Sequence, residues 1–144
     1  MTGERLPAGQ LHNLSPQGFP ILVRYDLAGV KAAMTKDKIA ARAPNWWRYR
    51  ELLPVKHTAN VVSLGEVMTP LITLPQIARS LNVSGEIIVK DEGRLPTGSC
   101  KARGLALAVC MAKELGVKKM AMPTNGNAGA ALAAYASKAG IETV

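Results

Sequence analysis

Apolar positions in the second half of the chain alternate between short β-type runs and helical stripes. The β-branched and aliphatic runs predict strands at 71–74, 86–90, 119–122 and 141–144. The helical spacings predict helices at 75–81, 99–115 and 127–138, the second capped by Ser99 and the last two ended by Gly116 and Gly140. Alternation of strand and helix is typical of parallel crossovers, so residues 71–144 are expected to form an α/β unit, part of a three-layer parallel sheet.

The first 70 residues are less regular. Residues 1–20 are rich in glycine and proline, 21–25 predict a short strand, and Asp26 is a candidate helix cap. A partial helical stripe follows until Pro44, and the tryptophan-rich cluster after it is interpreted as packing rather than a ligand cage.

Two segments are therefore expected, a lead-in over residues 1–70 and an incomplete α/β domain over 71–144. A parallel strand at 141–144 with nothing after it would leave an open sheet edge. The sequence is interpreted as a truncated one on that ground.

Composition narrows the class of protein. With 144 residues and 48% hydrophobic content the chain can bury one modest core. No apolar run approaches the ~20 residues that span a bilayer, and no secretory signal begins the chain, so a cytoplasmic location is expected. Cys100 and Cys110 would stand about 15 Å apart on one predicted helix, which excludes a disulfide between them.

The net charge of +8 is concentrated in one stretch. Residues 31–56 hold seven lysines and arginines against two acids. A nucleic-acid surface is one interpretation, but a solvated peripheral face is favoured because no recognition helix, zinc ligands or spaced aromatics accompany the charge. A basic enzyme with a phosphorylated substrate fits equally well.

Two polar loops carry the candidate chemistry. The first, residues 93–101, brings Thr97, Ser99 and Lys101 to the start of a predicted helix. The helix dipole disfavours an ammonium group there, which suits a Schiff-base lysine, although a solvent-exposed lysine is the simpler alternative.

The second loop, residues 123–129, is built of small and amide residues before another helix. Backbone can approach a ligand closely there, and the helix start offers an anion site, although a turn that binds nothing is common. The loop matches neither the dinucleotide nor the Walker glycine pattern. Both loops are expected to follow neighbouring strands and to open onto one crevice.

Four segments resemble threonine synthase and the other fold-type-II pyridoxal-phosphate enzymes, the tryptophan synthase β-like group. They are residues 47–54 (WRYRELLP), 63–71 (SLGEVMTPL), 90–104 (KDEGRLPTGSCKARG) and 123–129 (PTNGNAG). Their order and spacing agree over roughly residues 15–144, and the first two favour threonine synthase within the superfamily.

The resemblance implies a pyridoxal 5'-phosphate site in which Lys101 is the catalytic Schiff-base lysine. Asn127 would hydrogen-bond the ring hydroxyl of the cofactor. The residues expected to bind the substrate are Ser99, Thr124, Asn125, Gly126, Asn127 and Ala128. The implied reaction converts O-phospho-L-homoserine and water to L-threonine and phosphate, in a homodimer when full-length and without nucleic-acid or membrane partners.

The sequence departs from the family pattern in three places. Cys100 stands where phenylalanine is usual, Val67 replaces a usual glycine, and residues 14–26 lack the cysteines of a metal-binding start, so no metal is expected. The family's phosphate-gripping loop and its partner of the pyridine nitrogen lie further downstream, so this length of chain is expected to be inactive alone.

Alternatives remain open within and outside this class. Serine/threonine dehydratases and cysteate synthase-like enzymes share both loops. A non-catalytic anion- or nucleic-acid-binding domain would use residues 31–57 instead.

Overall fold

A computed structural model describes residues 3–144; the first two residues of the expected irregular start lie outside it. The α-helices are α1 (Leu27–Ala33), α2 (Lys36–Ala40), α3 (Pro75–Ser80), α4 (Lys101–Glu114) and α5 (Asn127–Ala139). The strands are β1 (Leu71–Thr73), β2 (Ile88–Lys90), β3 (Lys119–Met120) and β4 (Glu142–Thr143). Short 3₁₀ turns lie at Trp46–Leu52, Thr58–Asn60, Glu92–Arg94 and Pro96–Gly98.

The lead-in confirms the predicted cap but not the predicted strand. Asp26 Oδ1 accepts a hydrogen bond from the amide of Gly29 at 2.9 Å, which starts α1 as expected. Residues 21–25 are wrongly predicted as a strand, since they have no ladder partner in the described chain. The helical stripe is divided because Thr35 caps a second helix, its hydroxyl accepting from the amide of Lys38.

Strands β1 and β2 pair antiparallel, with Ile72 opposite Val89. The expected parallel crossover is therefore wrong for this pair. Helix α3 has only six residues and ends where Asn82 takes a left-handed conformation, φ 52°. The antiparallel ladder continues beyond the two strands, since the amide of Leu74 donates to the carbonyl of Ile87 at 2.8 Å.

Strands β3 and β4 pair in parallel on either side of α5, as the pattern predicted. Gly140 ends α5 in the left-handed conformation, φ 70°, which glycine adopts without strain. The two pairs of strands form separate two-stranded sheets, so the chain is α/β.

The core lies between α4 and α5 and extends under the lead-in. Both helices present small buried side chains, which are Ala102, Ala106, Ala112, Ala131 and Ala136. Val55 and Val62 of the lead-in join the same core, and Trp46 and Trp47 pack against it, as the packing interpretation of the aromatic cluster predicts. Larger buried side chains from the same helices, Val109, Leu132 and Tyr135, fill the rest of this core.

Two arginines of the basic stretch are used within the chain. Arg42 forms a bidentate ion pair with Glu51 at 2.6 and 2.7 Å, and Arg48 donates to the carbonyl of Ile39 at 3.1 Å. These two side chains are therefore not free to contact phosphate groups. Among residues 3–144 no helix has both the length and the apolar character to cross a membrane.

Candidate functional site

The loop before α4 brings Lys101 to the first position of that helix. A 3₁₀ turn at Pro96–Gly98 places Thr97 and Gly98 in the left-handed region, φ 67° and 68°, before Ser99 returns to extended backbone. A threonine in that region is strained, because its branched Cβ crowds the backbone. The loop therefore contains a strained residue shortly before Lys101.

Ser99 does not cap α4, contrary to the prediction. The capping position is Cys100, whose side chain makes no cap bond, and the carbonyl of Ser99 accepts from the amide of Ala102 at 3.2 Å. The cap lies one residue later than the pattern predicts.

Two hydroxyls beside Lys101 are buried without a partner. Within residues 3–144, Thr97 Oγ1 and Ser99 Oγ make no hydrogen bond although water does not reach them. A buried hydroxyl without a partner costs about 1–3 kcal/mol. Two further buried atoms without a partner, Nε1 of Trp46 and of Trp47, lie in the lead-in, so the two hydroxyls are the ones in the loop that carries Lys101, where a ligand would satisfy them.

The second loop is organised around Thr124. Its Oγ1 accepts hydrogen bonds from the amides of Gly126 at 3.1 Å and Gly129 at 2.9 Å. Gly126 has φ 136°, a conformation restricted to glycine, and starts α5. The threonine methyl packs so closely on Gly129 that a Cβ built there would lie 2.5 Å from it.

The amides at the start of α5 divide into used and unused groups. The amide of Gly129 donates to the hydroxyl of Thr124, and the amide of Ala130 donates to the carbonyl of Gly126 at 2.9 Å. The amides of Asn127 and Ala128 donate to no acceptor in the described chain. This pair of N–H groups at a positive helix end suits a carboxylate.

Lys101 and the second loop face one cavity of about 440 Å³. Its walls are formed by Lys101, Pro123, Thr124, Asn125, Gly126, Asn127 and Ala128. The structure therefore brings together every predicted site residue except Ser99, which does not line the cavity. A volume of this size is usual for a small-molecule site.

The convergence has a different cause from the one expected. Strands β2 and β3, which lead into the two loops, belong to separate sheets rather than neighbouring positions of one sheet. Close packing of α4 against α5 brings Lys101 and Asn127, the first residues of these helices, to the same cavity.

An ion pair missed by the sequence reasoning closes the Lys101 loop. Arg103 contacts Glu92 through Nε at 2.5 Å and Nη2 at 2.9 Å, joining the first turn of α4 to the residues after β2. The hydroxyl of Thr69 donates to the same carboxylate at 2.6 Å. The bond from Arg103, with further contributions from Thr69 and Lys90, lowers the pKa of Glu92 to about 2.

This ion pair predicts a pH dependence of stability. The pKa of Glu92 lies lower in the folded protein than in the unfolded chain, so its contribution is complete above about pH 5 and is lost as the pH falls towards 2. For a partly solvated pair we expect about 1 kcal/mol. Between pH 6 and pH 3, denaturant unfolding should show a loss of stability that is about 1 kcal/mol smaller in Glu92→Gln than in the unmodified protein. A remainder is expected in both, because the pKa values of Glu51, Glu66 and Glu114 are also lowered.

The exposed pair of Lys119 and Glu142, 2.7 Å apart, provides the control. A Glu142→Gln variant should keep the pH dependence of the unmodified protein. An equal dependence in Glu92→Gln would contradict the assignment.

The two departures near the site are accommodated. In the lead-in, the left-handed backbone conformation is adopted by Gly65, with φ 89°, and not by Val67. The side chain of Val67 is 51% exposed, so it is not crowded. Cys100 is exposed and Cys110 is buried, and both are free thiols, as the excluded disulfide predicts.

Comparison with known proteins finds a family whose sequence pattern matches the part of the chain that carries the site. The model of a family described as pyridoxal-phosphate dependent enzyme matches residues 62–144. That range contains both loops and the closing ion pair.

Individual relatives are similar over a larger part of the chain. The threonine synthase of Methanocaldococcus jannaschii is 40% identical over 116 residues, which cover 81% of this chain and 28% of that protein. The threonine synthase of Methanosarcina acetivorans is 39% identical over 122 residues, 85% of this chain and 29% of the relative. That of Synechocystis is 45% identical over 93 residues, 65% and 24% respectively. The matched residues thus span less than a third of each relative.

Proposed function

This chain belongs to the pyridoxal-phosphate dependent enzyme family, and from that premise we propose that Lys101 holds the cofactor covalently through its side-chain amine. The observation that carries the proposal is the cavity shared by Lys101 and the Asn127 loop. Lys101 is the single titratable residue among those that line it, so it is also the group that would move protons at the substrate carbons.

The residues present fit such a cofactor. Thr97 and Ser99 keep buried hydroxyls without partners beside the lysine, and the amide side chain of Asn127 can donate to a ring hydroxyl. When bound, pyridoxal phosphate supplies a ring that withdraws electrons from the substrate carbon. The part of the protein is to orient the ring and to hold a base at the reacting atoms.

The start of α5 would hold the α-carboxylate of an amino-acid substrate. The unused amides of Asn127 and Ala128 supply two donors at a positive helix end. Thr124, Asn125 and Gly126 would complete this subsite, with Thr124 keeping the backbone in its donor geometry. Ser99, in the loop that carries Lys101, would also bind the substrate, although it does not line the cavity.

The activity best supported is that of a threonine synthase-like lyase, acting on O-phospho-L-homoserine and water to give L-threonine and phosphate. Its support is that the similar proteins are threonine synthases, together with the lead-in segment at residues 63–71. Because the chain spans under a third of those relatives, the activity is proposed for the full-length protein.

The proposal extends to architecture and setting. Residues 1–70 form the lead-in, and 71–144 contribute β3, β4, α4 and α5 to the three-layer parallel sheet of the fold-type-II enzymes. A homodimer in the cytoplasm with small-molecule ligands, and without nucleic acid, completes it.

Substrate choice provides the test. The full-length protein should release inorganic phosphate from O-phospho-L-homoserine and form threonine, with far slower conversion of serine or threonine to oxoacids. The reverse preference would identify a dehydratase. Salt-sensitive binding of nucleic acid, with no cofactor absorbance on adding pyridoxal phosphate, would instead indicate a nucleic-acid-binding domain.

A further inference from the structure

Two polar residues of the lead-in are nearly inaccessible to water. Glu66 is 3% exposed and Thr69 is 5% exposed. They lie three positions apart, immediately before β1. Burying a carboxylate is costly unless it is well hydrogen-bonded, so its partners show what it does.

Glu66 connects the lead-in to α5. Its carboxylate accepts from the hydroxyl of Ser63 at 2.5 Å, from the amide of Leu64 at 2.9 Å and from the hydroxyl of Tyr135. Burial opposes ionisation of Glu66, but these donors together lower its pKa, while burial and the neighbouring carboxylate raise the pKa of Tyr135. The carboxylate is therefore the acceptor and the phenol the donor, inside a fully buried contact.

Thr69 connects the same segment to α4. Its hydroxyl donates to Glu92, which in turn holds Arg103 in the first turn of α4, and the ammonium group of Lys90 donates to Thr69. Arg103 also interacts favourably with the charge of Glu66. Both connections therefore start within residues 63–69, one from Glu66 and the other from Thr69.

Each connection ends on a helix that begins at the cavity. Arg103 lies two residues after Lys101, and Tyr135 lies about two turns after Asn127 on a continuous helix. An α-helix is rigid over two turns. Contacts at Arg103 and Tyr135 therefore also limit the relative movement of the first residues of the two helices.

We propose that residues 63–69 are a brace that sets the position of the Asn127 loop against Lys101, with Glu66 as its central positioning residue. This inference rests on the proposed function, because it concerns the alignment of the cofactor lysine with the substrate loop. Reaction rates depend steeply on such alignment, since displacements of about 1 Å can cost roughly 10²-fold.

Removal of the buried phenol hydroxyl tests the brace. In the full-length holoenzyme, Tyr135→Phe should lower kcat about tenfold while the fraction of Lys101 that borohydride reduction fixes to pyridoxal phosphate stays unchanged. Amide hydrogen exchange in the cofactor-free protein should rise about tenfold at Gly126 and Gly129 but not at residues 106–112 in the middle of α4. Tyr49→Phe, which alters an exposed tyrosine, is the matched control and should change none of these quantities.

A purely structural role gives a different result. Tyr135→Phe would then accelerate exchange in α4 and in the loop alike, in proportion to the lost stability, with kcat per reduced lysine unchanged; that outcome overturns the brace. Thr69→Val tests the other connection independently and should raise exchange at Gly98 without affecting Gly126. Failure of the proposed function would appear separately, as unmodified protein in which Lys101 carries no cofactor after reduction.

Discussion

Replacing Lys101 by alanine is expected to eliminate covalent attachment of pyridoxal phosphate and to lower turnover by about 10²–10⁴-fold, the range for loss of a positioned acid–base group. Within residues 3–144, Lys101 is the only amine among the residues that line the 440 Å³ cavity. Its side chain is exposed at the first position of α4, so the helix should fold without it. Borohydride reduction followed by peptide mass analysis, together with the cofactor absorbance, measures the result in the full-length protein.

Lys113 near the other end of the same helix is the matched control. Its ammonium group donates to the carbonyl of Ala59 at 2.9 Å, away from the cavity. Lys113→Ala should retain both the reduced cofactor on Lys101 and the turnover. If Lys101→Ala still carried cofactor fixed by reduction, the assignment of the lysine would be wrong.

The second large effect is expected from Gly129→Ala. A Cβ at this position would lie 2.5 Å from the methyl carbon of Thr124, a distance that real structures do not tolerate. Thr124 must move, and both of its amide contacts in the loop are then lost. We expect a loss of about 1–3 kcal/mol in the free energy of unfolding and a KM for the substrate raised about tenfold or more.

Gly104→Ala in α4 is the control for Gly129→Ala. A Cβ there meets no atom within 4 Å, and alanine favours a helix interior over glycine by about 1 kcal/mol. Thermal unfolding should show a higher Tm for Gly104→Ala and a lower one for Gly129→Ala, with KM raised in the second only. An unchanged KM in Gly129→Ala would remove the loop from the substrate site.

The parts of the fold that could be predicted from sequence are those determined locally. Gly140 ends α5 and Asp26 starts α1 because each conformation depends on a few neighbouring residues. The direction of β2 could not be predicted in this way. The pattern predicts the end of α3 to within one residue, but the pairing of β1 with β2 joins residues 15 to 19 positions apart, which a pattern of apolar positions does not specify.

The same distinction holds for the site. Lys101 and residues 124–128 could be located because each loop is a short contiguous motif. The contacts of Arg103 with Glu92 and of Tyr135 with Glu66 join residues 11 and 69 positions apart, and no local signal specifies such pairs. The cap predicted for Ser99 failed because the left-handed Thr97 changes the approach to the helix.

Because α4 and α5 bury several alanines, adding even one or two methyl groups to these side chains would change how the helices pack. Small side chains allow two helices to approach closely, to about 8 Å between their axes at the lower limit. A valine or leucine at Ala106, which is fully buried in the core shared by both helices, would act as a spacer and would push Lys101 away from the Asn127 loop. The distance between the two loops therefore depends as much on small side chains in the core as on the polar groups that line the cavity.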